Sequence, residues 1–238
     1  QFDKAQASGA TCPVARDEAG SVIYGANGEP MPMYYDYNGT KYAFTGGDAI
    51  YEDVNHDGSI DQYDVVYLGS SLPKLTGGFG FRLFYKGWSL NAQFNYRYGN
   101  KIANVARMRA ENMHGADNQS TAVNYRWRKE GDGANGGHVL PRALYGQGYN
   151  WMGSDRFVED GSFLRLNYLQ FSYGFDSKLI KRIGLSRLNL YVSGENLFCL
   201  TKYSGVDPEV NYGDMGVTKD EAITPRAKSF TFGLTATF

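Results

Sequence analysis

No apolar run in the sequence approaches the ~18 residues that a helical membrane span needs. Its start shows no charged stretch followed by an apolar core, so no secretory leader is legible either. Cysteine is nearly absent. Cys12 and Cys199 lie far apart and pair only if the fold brings them together; two unlinked thiols are the alternative. An excess of one charge is missing too: 24 Lys and Arg against 25 Asp and Glu leave a net charge of −1, which argues against a nucleic-acid partner or a basic membrane patch. Histidine is scarce, and His56, His114 and His138 form no close constellation. There is no Gly-x-Ser-x-Gly elbow, and Glu159 and Asp160 point to opposite faces of an extended chain, unlike paired glycosidase acids. The sequence therefore reads as a non-enzyme.

What it does contain is 30 Gly and 19 Tyr, a composition that favours turns and interfacial strands. The stretch Lys74 to Tyr98 organises the rest. Leu75, Gly77, Phe79, Phe81, Leu83 and Tyr85 share one parity, against Lys74, Thr76, Gly78, Gly80 and Arg82, and only Phe84 breaks the rule. After Lys86-Gly87, Trp88, Leu90, Ala92, Phe94, Tyr96 and Tyr98 alternate with Ser89, Asn91, Gln93, Asn95 and Arg97. A period of two places these sets on opposite faces of a sheet. A soluble sheet with one buried face alternates in the same way. Each run, however, extends about 11 to 13 residues, longer than the ~5–6 of soluble strands and close to the ~9–11 that cross a bilayer at a tilt.

Strand character returns over 157–176, where Leu169, Phe171, Tyr173 and Phe175 alternate with polar neighbours while Leu164 and Leu166 hold the opposite parity. That switch predicts a bulge or a passage beyond the membrane edge. It continues over 186–198 and ends in 228–238, where Phe230, Phe232, Leu234, Ala236 and Phe238 share one face. With 74–86 and 87–99 this predicts five strands of an all-β, transmembrane antiparallel barrel. Lys86-Gly87 and Asp176 to Gly184 are short turns, whereas 100–155 and 199–227 are long loops, and outer-membrane barrels put long loops outside. Residues 1–73 read as a polar extracellular region, a long loop or irregular subdomain. Ile102 to Met113 has few helix breakers and predicts a helical piece. Tyr34 to Tyr37, and Trp127, Trp151, Tyr145 and Tyr149, would either stack on a ligand or pack structurally.

One motif carries sharp chemistry. Across 53–64, Asp53, Asn55, Asp57, Ser59, Asp61 and Asp64 stand at positions 1, 3, 5, 7, 9 and 12 of a Ca²⁺ loop, with Gly58 at the sharp turn and Ile60 as the apolar anchor. Ser59 would bind through its carbonyl and Asp61 directly or through water. Asp64 replaces the usual Glu and is one methylene shorter. A solvated acidic turn is the alternative. No helix is legible before Asp53, so the expectation is an isolated calcium clip that stiffens a loop.

Five strands cannot close, since the smallest membrane barrels need about eight, and open edges in lipid leave backbone groups unpaired. The chain is thus expected to be processed, truncated or part of something longer. The segments DVNHDGSID, LTGGFGFRLFYKGWSL, YGNKI, SDRFVEDGSFLRLNYLQFSYGF, YVSGENLF, TKYSGVDPEV and PRAKSFTFGLTATF, in that order, resemble the carboxy-terminal region of SusC-family TonB-dependent transporters. The closing aromatic strand resembles the assembly signal of outer-membrane barrels. His56 stands where many relatives carry Gly. The resemblance implies a ~22-stranded barrel with a plug in a Gram-negative outer membrane. It would import oligosaccharides or peptides, with a SusD-like surface lipoprotein as lid, TonB as energy source and the amino-terminal remainder of the barrel as partner. A secreted calcium-dependent carbohydrate-binding β-domain is the rival expectation.

Overall fold

The structure, a computed structural model, describes residues 14–37, 39–129, 131–132, 140–209 and 218–238. Cys12, His138, Gly133, Gly136 and Gly137 lie outside the described residues. The chain divides into two units, Gln1–Leu68 with Arg107–Ser154, and Gly69–Ala106 with Asp155–Phe238.

The first unit is built on a small mixed sheet. Strand β1 (Tyr34–Tyr37) pairs antiparallel with β2 (Thr40–Ala43) and parallel with β3 (Ser59–Ile60). Ala15, Met33, Phe44 and Ile60 make its core, with Tyr35, Tyr42, Tyr51 and Tyr149 packed around it. The amino-terminal stretch is therefore an irregular subdomain with a core of its own. Some of its tyrosines are committed to packing: Tyr149 stacks on Tyr42 at 4.2 Å and tilts against Tyr35 at 5.0 Å, whereas Tyr37 is exposed. Trp151 is buried. The Trp127 ring stands where a Cβ on Gly47 would lie, which only a glycine, here at φ 87, permits. Of the four aromatics weighed for stacking on a ligand in the long loop, Tyr145 alone is bare.

The second unit contains, in chain order, β4 (Leu75–Tyr85), β5 (Trp88–Tyr98), β6 (Lys101–Asn104), β7 (Val158–Asp160), β8 (Phe163–Gly174), β9 (Arg187–Thr201), β10 (Lys219–Asp220) and β11 (Ser229–Thr237). Five of these form one antiparallel sheet in the order β11-β9-β8-β5-β4. Lys86 and Gly87 have φ of 44 and 87, both left-handed, as the two-residue turn that matches strand twist requires. The connection from Asp176 to Gly184 is a short helix, Ser177–Ile180, and a 3-10 turn ended by Gly184 at φ 79.

Three expectations are corrected. The strand predicted over 157–176 is two elements: Phe157 closes a 3-10 turn, and β7 leaves the main sheet to pair with β6, which β10 flanks on its other edge. Gly161 separates them, its backbone pressed so close to Asn100 and Ile102 that no side chain fits. The strand predicted over 186–198 runs on to Thr201. The helix expected within 102–113 is Val105–Glu111, because Ile102 is drawn into β6 and fully buried there.

The predicted parity switch is a bulge. Gln93 and Phe94 of β5 are consecutive, whereas their partners Tyr168 and Leu166 on β8 enclose Asn167. The partners of those on β9, Glu195 and Phe198, enclose Asn196 and Leu197, and Asn196 has φ 51. The irregularity grows from strand to strand while the apolar parity survives it.

Candidate functional site

Reading across the sheet, the register assembles two chemically opposed faces. One row runs Phe79, Phe94, Leu166, Phe198; another runs Leu83, Leu90, Phe171, Val192, Phe232. Phe79 stacks on Phe94 at 4.9 Å within the first row, and Trp88, one row beyond the second, stacks on Phe171 at 4.8 Å. The large rings of this face are bare, with Phe79, Phe171 and Phe232 53%, 43% and 81% exposed, while Leu166 and Ala92 between them are buried. Covering a phenylalanine stabilises by about 1.5–3 kcal/mol, and contiguous uncovered rows of this size mark a contact with lipid or protein.

The opposite face carries Arg82, Asn91, Gln170, Ser193 and Thr231 in one row and Gly80, Gln93, Tyr168, Glu195 and Ser229 in the next. Ser89 and Ser172 meet at 2.5 Å, the Tyr168 hydroxyl donates to Gln170 at 2.9 Å, and Ser229 donates to Glu195 at 3.2 Å. Such a face suits water and hydrogen-bonding solutes.

Onto this polar face the chain after β9 is fastened. Arg165, in line with Asn95 and Cys199, is almost fully buried. Its guanidinium donates to Asp207 at 2.5 Å and pairs with Glu209 through Nε. Glu209 also accepts from Asn95 at 3.0 Å and faces Arg226 at 3.5 Å, while Asp207 accepts from the amides of Glu209 and Arg226. Nearby, the hydroxyl of buried Tyr203 donates to buried Asp220 at 2.6 Å, and burial, then this hydrogen bond, raises the tyrosine pKa. Asn104 donates to Glu159 and Ser204. Glu159 and Asp160 are engaged by Ser204 and Ser162, so neither stands free as a catalytic acid. The sequence reading missed Arg165, Asp207 and Glu209 as a group. Its signal was present in TKYSGVDPEV and in a lone arginine within an otherwise apolar run.

The calcium-loop residues lie in the first unit in the turn geometry such a loop needs. Gly58 has φ 84 and His56 φ 60, the left-handed value that a Gly at that position adopts without strain. Ile60 is buried in the core, and the Tyr34 amide donates to the Gly58 carbonyl at 3.1 Å. Asp53 accepts from the amides of Asp57 and Gly58, Asn55 from Asp57, Asp57 from Ser59, Asp61 from Tyr63, and Asp64 from Val54 and Asp61. The donor set thus fits a hard cation in type and order. Its side chains are turned onto backbone amides, and among the described residues no three His, Cys, Asp or Glu groups converge as a metal cluster.

No family model matches the chain. It is 30% identical over 199 residues to TonB-dependent receptor P3 of Formosa agariphila, which covers 81% of this chain and 19% of that receptor. To TonB-dependent receptor SusC of Bacteroides thetaiotaomicron it is 27% identical over 222 residues, 91% of this chain and 18% of that one. Among solved structures, the RagAB peptide importer in its closed-closed state superposes with a TM-score of 0.61 at 25% identity, over 91% of this chain and 20% of that one. The chain thus spans about a fifth of the length of these relatives. Two opposed sheet faces, strands long enough to cross a bilayer and these likenesses agree: the chain belongs to the SusC-type TonB-dependent receptors and forms part of their outer-membrane barrel wall.

Proposed function

We propose that this chain is a stretch of wall in an outer-membrane transporter that imports nutrients with energy delivered through TonB. The observation that carries the reading is the sheet with one bare apolar face and one hydrogen-bonding face: the first meets lipid, the second lines the aqueous path. Both outer strands, β4 and β11, have an unpaired edge among the described residues, so the rest of the receptor closes the barrel on either side. The cargo is a hydrogen-bonding solute of the peptide or oligosaccharide class. Likeness to peptide importers supports the former. A SusD-like surface lipoprotein covers the outer mouth.

The test uses the full-length receptor in its native membrane. It migrates as a heat-modifiable species, and cells take up labelled peptide or oligosaccharide only with TonB present, while surface binding persists without it. TonB-independent uptake would sink the reading. The same reading includes Ca²⁺ held by Asp53, Asn55, Asp57, the Ser59 carbonyl, Asp61 and Asp64, as an external clip with no part in transport chemistry. Its support is the left-handed turn at Gly58 and the burial of Ile60, which fix the middle of the loop.

A further inference from the structure

At the end of the sheet that carries both short turns, charge is one-sided. Lys86 stands in the first turn, Lys178, Lys181 and Arg182 in the second, and Arg187 opens β9, all of them exposed. Across 84–90, 172–190 and 234–238 the only acidic side chain is Asp176, and it accepts from the Lys178 amide at 2.8 Å. Among the described residues none of the five cations has a carboxylate partner. The two turns adjoin, since the Gly174 amide donates to the Gly87 carbonyl at 2.8 Å.

What lies against these cations is fixed by the face beside them. Beyond the row that ends at Phe232, the next apolar row is Tyr85, Trp88, Tyr173, Leu190 and Leu234. Tyrosine and tryptophan join an apolar ring to a polar tip and collect where hydrocarbon gives way to headgroups. Lipids that cover the rows of Phe79 and Phe171 therefore place their phosphates at this level. The Lys86 ammonium lies 5.3 Å from the centre of the Tyr85 ring, which sets it at headgroup depth on the lipid side. The helix Ser177–Ile180 follows Tyr173 closely, and Ile183, 68% exposed beside Arg182, offers an apolar foothold at the same boundary. The long connections after β5 and β9, which include 133–139 and 210–217, leave from the opposite ends of these strands.

We infer that Lys86, Lys178, Lys181 and Arg182 form a rim that binds the phosphate of an anionic phospholipid whose acyl chains lie on the apolar face. Each lysine or arginine near the surface is attracted by a net negative headgroup, and a zwitterionic one offers no net charge. The inference rests on the chain being barrel wall, and the test separates the two. The intact receptor, its barrel verified by heat-modifiable migration, is placed in phosphatidylcholine nanodiscs that contain a photoactivatable lipid. That probe is either phosphatidylglycerol or phosphatidylcholine, with the reactive group in the acyl chain near the glycerol, and labelled peptides are identified by mass spectrometry. Both probes should label 228–238. The stretch 176–187 should take up phosphatidylglycerol about tenfold more than phosphatidylcholine. Changing all four cations to Gln should bring the two lipids to parity there, whereas Lys178→Arg with Lys181→Arg should keep the preference. Parity in the wild type, or a preference that survives the glutamines, would overturn the inference. Failure of both probes to label 228–238 would instead overturn the reading of the chain as barrel wall.

Discussion

Arg165 and Asp207, 42 residues apart in sequence, meet at 2.5 Å on the polar face of the sheet, each side chain 5% exposed. Glu209 closes on the same guanidinium. Removing the arginine leaves buried Asp207 without its cation and Glu209 with only the exposed Arg226 at 3.5 Å, a change that costs about 3–5 kcal/mol in comparable buried pairs. Arg165→Met in the full receptor should therefore release residues 203–209 to protease at a temperature where the wild type resists. Adding Asp207→Asn and Glu209→Gln should recover part of the loss. Equal protease resistance of wild type and Arg165→Met would refute the latch.

The hairpin turn offers a second test. Gly87 has φ 87, and a Cβ there would stand 2.8 Å from the Gly174 carbonyl. Gly87→Ala should destabilise the barrel by about 1–2 kcal/mol, seen as a lower urea midpoint. Lys86→Asn, which tolerates the left-handed φ of 44 better, should raise that midpoint.

If 53–64 is the proposed calcium clip, adding EGTA to the receptor should speed cleavage within it and leave heat-modifiable migration unchanged. Asp64→Glu restores the longer twelfth ligand and should tighten Ca²⁺ roughly tenfold, about 1.4 kcal/mol; Asp53→Ala should abolish it. Calorimetry that finds no heat of binding in the wild type would dismiss the ion.

A fourth expectation concerns pH. Burial by itself raises the Asp48 pKa, but Arg142 at 2.6 Å, the Tyr42 hydroxyl, the Thr45 amide and Asn150 outweigh it and hold the carboxylate below its usual range. A lowered folded pKa gives stability that is present above about pH 4 and is lost as pH falls through the folded value. Tyr42 moves the other way: burial, then the Asp48 carboxylate that accepts its proton, push its pKa up to about 12. Its contribution is whole below pH 10 and disappears as pH climbs toward 12. Tyrosine absorbance and protease resistance of the 14–68 region should show both limbs. Asp48→Asn should remove the acid limb and bring Tyr42 down toward 10.

Period-two alternation is a local property, so β4, β5 and β11 were legible residue by residue, and the slip between Leu166 and Leu169 announced a bulge. The small sheet of β6, β7 and β10 was not, because two to four residues are too few to display a period. The core of Ala15, Met33, Phe44 and Ile60 was hidden for the opposite reason: its members are spread through turns that follow no repeat. Side-chain types and spacing were enough to propose the metal loop. The Arg165 pairing depends on a return of the chain across 42 residues, which no spacing rule records.

Deleting Asn167 on paper gives β8 an unbroken alternation, with Leu164, Leu166, Leu169 and Phe171 still on one side. The extra residue therefore does not decide which side is greasy. A bulge bends its strand and tightens the local twist, and here the kink is repeated at Asn196 and Leu197 in the neighbouring strand. Together they crease two neighbouring strands, two residues along from the rung that carries Arg165.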